Sequence, residues 1–238
     1  YLYPGATYPY GMVQFTPSYF SKRSGFVINQ LSGGGCEHMG NFPTFPVKGK
    51  LKMSPDNILN YRINISEEKG HAGYYEAKVQ EDIHAKLTVT ERTGMASYEY
   101  PADQQYGTVI IGGGISATPI EQAAIVITAP NKCEGYAEGG NFCGLRTPYK
   151  VYFVAEFDAD ALESGTWKRD KLKPNTTFAE GEYSGVYFTF DVNKKKNIQY
   201  KIGVSYVSVE NARENLKAEN TGWDFLQIQN QAESKWNH

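Results

Sequence analysis

The sequence predicts an all-β protein, a large two-sheet antiparallel β-sandwich with a short helical segment at its C-terminal end. Three observations carry this. Apolar and polar residues alternate with period two across much of the first two hundred positions, the signature of half-buried strands. The strand candidates are short, rich in aromatic and β-branched residues, and separated by turn-formers drawn from 24 Gly and 11 Pro. Helical spacing appears only at the end, so strands do not alternate with helices as they would in βαβ units.

The elements follow in order. Pro4, Gly5, Pro9 and Gly11 make a rigid opening loop that leads into a strand. Strands are expected over 45–53, 74–79, 95–100 and 109–112. Ile83, Ala85, Leu87 and Val89 alternate with His84, Lys86, Thr88 and Thr90, which predicts one apolar and one wet face. Residues 149–157 alternate less cleanly and read as buried on both faces. Val186, Phe188 and Phe190 form another apolar row, and the pattern resumes over 198–209. Lys194, Lys195 and Lys196 fall between two strands and read as a solvated loop tip. Ser208 can cap a helix carrying Val209, Ala212 and Leu216. Thr221 to Asp224 reads as a capping box, followed by Phe225, Ile228, Ala232 and Trp236 at helical spacing.

Composition excludes several functions. Lys plus Arg number 24 and Asp plus Glu 26, a net charge of −2, so no strongly basic surface is available for nucleic acid. The longest apolar runs, near 123–128 and 151–155, fall short of the roughly 18–20 residues a membrane span needs. No signal peptide opens the chain, and its start at Tyr1 reads like a trimmed or mature form. The aromatic residues (18 Tyr, 12 Phe and 3 Trp) fit a pleated surface and equally a sugar-stacking one. Three cysteines, Cys36, Cys133 and Cys143, rule out a full disulfide framework and a four-cysteine zinc site. Cys133 and Cys143 flank a plausible hairpin loop, so either a bridge between them or two buried thiols is expected. Asn64 and Asn175 begin glycosylation-type triplets.

One stretch stands apart: Gly33-Gly34-Gly35-Cys36-Glu37-His38, preceded by Leu31 and Ser32. A phosphate cradle would need a Lys-Ser/Thr pair or a strand–turn–helix context, and neither follows. A zinc site at Cys36 and His38 lacks further ligands nearby, and a Cys-His nucleophile lacks an orienting third group. What survives is a glycine-rich loop presenting backbone amides, Cys36, Glu37 and His38 to a ligand or another domain, or a loop that only turns tightly. Carboxylates such as Glu37, Glu67, Glu68, Glu121 and Asp158 show no spacing that selects a catalytic pair.

Several blocks together resemble glycoside hydrolase family 92, the calcium-dependent exo-acting α-mannosidases. They are Pro4-Gly5-Ala6-Thr7 with Pro9 and Gly11-Met12-Val13-Gln14; Gly25-Phe26; Leu31-Ser32-Gly33 with Gly35-Cys36 and Gly40; Gly73-Tyr74-Tyr75; Ile83 through Gly94; Tyr149 through Phe157; Tyr206 through Ala212; and Trp236-Asn237. The resemblance runs in order across nearly the whole chain. It implies a galactose-mutarotase-like supersandwich over 1–208 and a helical linker over 209–238 leading to an absent (α/α) barrel. It further implies that the barrel carries the general acid, the general base and the calcium ligands of an inverting enzyme. This chain would then hold no catalytic residue, metal ligand or cofactor of its own. Its partners would be that barrel and α-mannoside glycans, and its location periplasmic or secreted. The glycine-rich block, Gly33 to His38, is the part expected to wall the sugar pocket. Gln30 stands where many members carry histidine, and Gly34 where a small hydroxyl residue is common, which leaves the α-1,2 linkage open. A stand-alone carbohydrate-binding sandwich and a purely structural domain are the other readings.

Overall fold

The computed structural model describes residues 4–18, 25–31, 33, 35–36, 38–56 and 65–237. Strands are numbered along the chain. The first sheet runs β1 (Ala6–Thr7), β2 (Gln14–Pro17), β3 (Phe26–Val27), β4 (Thr44–Lys48), β9 (Tyr106–Gly112), β16 (Ser184–Asp191), β13 (Glu163–Lys168), β14 (Lys171–Pro174). The second runs β15 (Phe178–Glu180), β10 (Ile120–Ala129), β11 (Lys132–Phe142), β12 (Leu145–Phe157), β17 (Asn197–Ser205), β8 (Thr93–Glu99), β7 (Ile83–Val89), β6 (Tyr74–Val79), β5 (Ile65–His71). The pairings among these strands are antiparallel. The expected two-sheet sandwich is therefore present.

The two sheets bury their facing sides against each other. On β7, Ile83, Ala85, Leu87 and Val89 are fully buried and His84 and Lys86 half-buried, but the expected wet face stops there: Thr88 and Thr90 are buried as well, Thr88 donating to the Gly73 carbonyl at 2.8 Å. Phe157 of β12 anchors the middle of the layer. Its ring lies 4.9 Å from Phe188, 5.1 Å from Phe190 and 5.3 Å from Tyr200, drawing both sheets into one aromatic cluster.

The outer side of the second sheet carries the helices. Helix α1 (Val209–Glu219) starts at Ser208, whose Oγ accepts a hydrogen bond from the Asn211 amide at 3.1 Å. It buries Ala212 and Leu216 over Val154. Gly203 of β17 lies directly beneath. A Cβ there would sit 2.4 Å from the Ala212 carbonyl oxygen and 2.8 Å from Leu216 Cβ, so only glycine lets the helix approach this closely. Helix α2 (Phe225–Trp236) packs on β6, β7 and β8, and its Trp236 Nε1 donates to the Thr7 carbonyl at 2.8 Å.

Four further expectations need correction. The strand expected over 45–53 ends at Lys48, because Gly49 turns the chain with φ +75°. The strand expected to reach Val209 ends at Ser205; Ser205 Oγ accepts from the Val207 amide at 3.0 Å, leaving Tyr206 and Val207 exposed. The cap of α2 is Asp224, which accepts from the Gln227 amide at 3.0 Å, and not Thr221. The lysine run does sit in the turn between β16 and β17 with Lys194 and Lys195 exposed, but Lys196 is anchored: its ammonium donates to the Ala102 and Gln104 carbonyls at 2.9 and 3.1 Å, while Lys195 pairs with Asp158 at 2.8 Å.

Candidate functional site

The glycine-rich segment lies at one end of the sandwich, beside the β11–β12 turn. Gly33 and Gly35 are exposed, both with φ +75°, and added side chains there would meet nothing within 4 Å. Gly34 and Glu37, both candidates from sequence, lie outside the described residues. Cys36 is bonded to Cys143 across a separation of 107 residues, with Cα atoms 5.5 Å apart. The bridge considered between Cys133 and Cys143 is thus replaced. Some ten residues of extended strand, at about 3.3 Å each, hold those two cysteines far apart. Cys133 is instead a buried thiol on β11, opposite Ala155. Burial, then the neighbouring Glu134, pushes its ionisation far above the ordinary value. Native protein treated with maleimide should therefore leave Cys133 unmodified until denaturant is added, as read by mass spectrometry.

His38 is expected from sequence to face a ligand. It is 7% exposed and wedged between rings, 5.2 Å from Phe142 and 5.5 Å edge-on to Tyr149. Its Nδ1 is buried without a hydrogen-bond partner among the described residues. Burial lowers its pKa below the ordinary 6.5, partly opposed by the nearby Asn141 carbonyl. The unfolded chain then binds the proton more readily, so stability falls as pH drops through 6.5 and below. Thermal unfolding at pH 5.5 and 7.5 should show that loss, and it should shrink in His38→Phe.

Below the loop sits a polar network that sequence reasoning did not assign to the site. Asn41, fully buried, donates its amide to Asn29 Oδ1 at 2.7 Å. Its own Oδ1 accepts from Asn29 Nδ2 and from the Tyr149 hydroxyl, both at 3.0 Å. Asn29 Nδ2 also reaches the Tyr206 hydroxyl at 3.4 Å. Asn41 Nδ2 is buried with no partner among the described residues. Tyr149 and Tyr206 belong to the blocks that carry the family resemblance, so a signal existed; Asn29 and Asn41 had none. Three of the ten left-handed non-glycine residues among those described lie here. Met39 at φ +60°, Phe42 at +54° and Cys143 at +52° are left-handed without being glycine.

The chemistry open to this arrangement is hydrogen bonding. Amides, phenols and a neutral imidazole can hold hydroxyl groups, while Cys36, locked in its disulfide, is no nucleophile. No group of three or more potential metal-ligating side chains occurs among the described residues. A groove of about 790 Å³ is lined by Tyr8, the cap residue Asp224 and α2 residues including Leu226 and Gln231, away from the glycine-rich loop.

Two antiparallel sheets with a helical pair on the outer face of the second define a β-sandwich domain. The chain belongs to the glycosyl hydrolase family 92 N-terminal domain family, whose profile matches residues 1–205. It is 26% identical, over 98% of its length, to an uncharacterized secreted glycosidase of Arthroderma benhamiae, of which it covers 35%. It superposes on a family 92 α-mannosidase from Bacteroides thetaiotaomicron with a TM-score of 0.84 at 23% identity, covering 99% of this chain and 35% of that one. An inverting family 92 mannosidase from the same organism gives a TM-score of 0.78 at 22% identity, with 99% and 33% covered. The chain thus spans about a third of the length of these relatives. No helix among the described residues is long and apolar enough to cross a membrane.

Proposed function

We propose that this chain is the N-terminal domain of an inverting exo-α-mannosidase, packing on a separate catalytic barrel and completing its sugar pocket. The family match over residues 1–205 carries this reading. The glycine-rich loop at Cys36 is assigned to face the pocket, with the buried His38 and Asn41 and the half-buried Tyr149 holding it from below. The sandwich over 1–208 supplies that wall, and the helices over 209–238 lead towards the barrel. Inversion needs two carboxylates far enough apart to admit a water, and these are assigned to the barrel. So is the calcium ion. A secreted or periplasmic location agrees with the disulfide and with the relative described as secreted.

The test compares this chain with a form extended through its next domain, on α-linked mannobioses, with calcium and with a chelator. The expected result is mannose release by the extended form only, and only with calcium. Hydrolysis by this chain alone would place the carboxylates in the sandwich and refute the reading.

A further inference from the structure

We infer that the Cys36–Cys143 disulfide is a reducible latch that preorganises the site, so that thiol–disulfide exchange switches sugar binding down while the sandwich stays folded. The effect on sugar rests on the pocket-completing role proposed above; the latch itself does not.

Three observations carry the inference. The first is access. Cys143 is exposed at the β11–β12 turn and Cys36 is half-buried, so the bond can be reached from solvent. Exposed disulfides are the ones that exchange, whereas buried ones behave as inert staples. The second is how the cysteine is held. Gly33 and Gly35 beside it are exposed, and a Cβ added to either would meet open space. The polypeptide is hydrogen-bonded at His38 and Met39, where the His38 carbonyl accepts from the Leu31 amide at 3.2 Å and the Met39 carbonyl from the Ala117 amide at 2.7 Å. The third is stored cost. His38 Nδ1 and Asn41 Nδ2 are sealed without partners among the described residues. A buried polar group left unpaired is costly, and letting water in removes that cost. The closed arrangement therefore leans on the covalent tie, and its release favours opening.

The exchange balances with a dithiol as reductant. A thiolate of the dithiol attacks Cys143 Sγ, the Cys36–Cys143 bond breaks, and Cys36 leaves as a thiolate that takes up a proton. The second thiolate of the reductant then closes its own disulfide and releases Cys143. Two electrons pass from the dithiol to the protein. Once free, Cys36 no longer holds His38 against Phe142 and Tyr149.

The experiment titrates the full-length protein with dithiothreitol under native conditions. Alkylation and mass spectrometry identify the freed thiols, amide exchange is followed at Leu31 and Asn41, and KM is measured on an α-mannobiose. Cys36 and Cys143 should label together while Cys133 stays protected. The two amides should exchange faster, and KM should rise about tenfold, which corresponds to about 1.4 kcal/mol of lost sugar binding. Oxidised glutathione should reverse all three. Cys36→Ser with Cys143→Ser should show the raised KM without responding to reductant. Labelling of Cys133 in step with the other two would mean that reduction unfolds the domain, and would overturn the latch. So would reduction with unchanged amide exchange, or with faster exchange and an unchanged KM. If neither redox state cleaves mannosides, the proposed function fails, and the amide exchange alone decides the latch.

Discussion

Glu219→Ala is expected to destabilise the protein by about 2–4 kcal/mol, the range for removing a largely buried carboxylate and leaving its donors without an acceptor. Glu219 ends α1 and reaches back to the turn between β7 and β8. Its Oε2 accepts from Thr90 Oγ1 at 2.6 Å and from the Arg92 amide at 2.8 Å, and its Oε1 binds Arg92 Nε. The carboxylate side chain is only 14% exposed, so water does not replace these bonds in place. Arg92 itself is 40% exposed, which holds the expected loss below the figure for a fully buried pair. Thermal unfolding should move down by roughly 5–15 °C for a chain of this size. Glu219→Gln keeps one acceptor oxygen and should lose about half as much. A shift of under a degree in both variants would show that the helix is held by Ala212 and Leu216 alone.

Much of this seat was legible in the sequence, and the reason is local. Ser208 as a cap and the spacing of Val209, Ala212 and Leu216 are short-range signals, and α1 starts where they place it. The alternation at Ile83 to Val89 was equally reliable, because one buried face imposes period two. What failed was non-local. Nothing near Lys196 announces that its ammonium will meet carbonyls some ninety residues away, so its anchoring was missed while the exposed turn at Lys194 and Lys195 was read correctly. The disulfide failed for the same reason. Nearness along the chain favoured Cys133 with Cys143, but a strand carries its ends apart, and only the folded sheets bring Cys36 to Cys143. The candidate site was half visible: the glycine run marked the loop, while the buried Asn29 and Asn41 beneath it are ordinary residues whose role arises from burial and mutual bonding.

Gly203→Val should separate the two levels of this architecture. The new Cβ would fall 2.4 Å from the Ala212 carbonyl and 2.8 Å from Leu216 Cβ, so α1 must move away from β17. Overpacking of this kind costs about 1–3 kcal/mol, and here the strain falls on backbone, which yields less than a side chain. The inner side of β17, with Ile202 and Val204 in the core, is untouched by the change. The expected outcome is a sandwich that keeps its far-ultraviolet β signal while amides of α1 lose protection by roughly the cost of lifting it. The displacement should travel further. Lys201 on the same strand donates to the Asn220 carbonyl at 3.0 Å and lies 4.4 Å from the centre of the Trp223 ring, so it ties the connection between α1 and α2 to the sheet. Lifting α1 strains that tie, and protection should fall in α2 as well. If α2 keeps full protection, its own packing on β6, β7 and β8 suffices, and the two helices are independent seats. If both loosen together, the pair moves as one unit, and any domain attached beyond Trp236 would take its orientation from the fit of one glycine against one carbonyl.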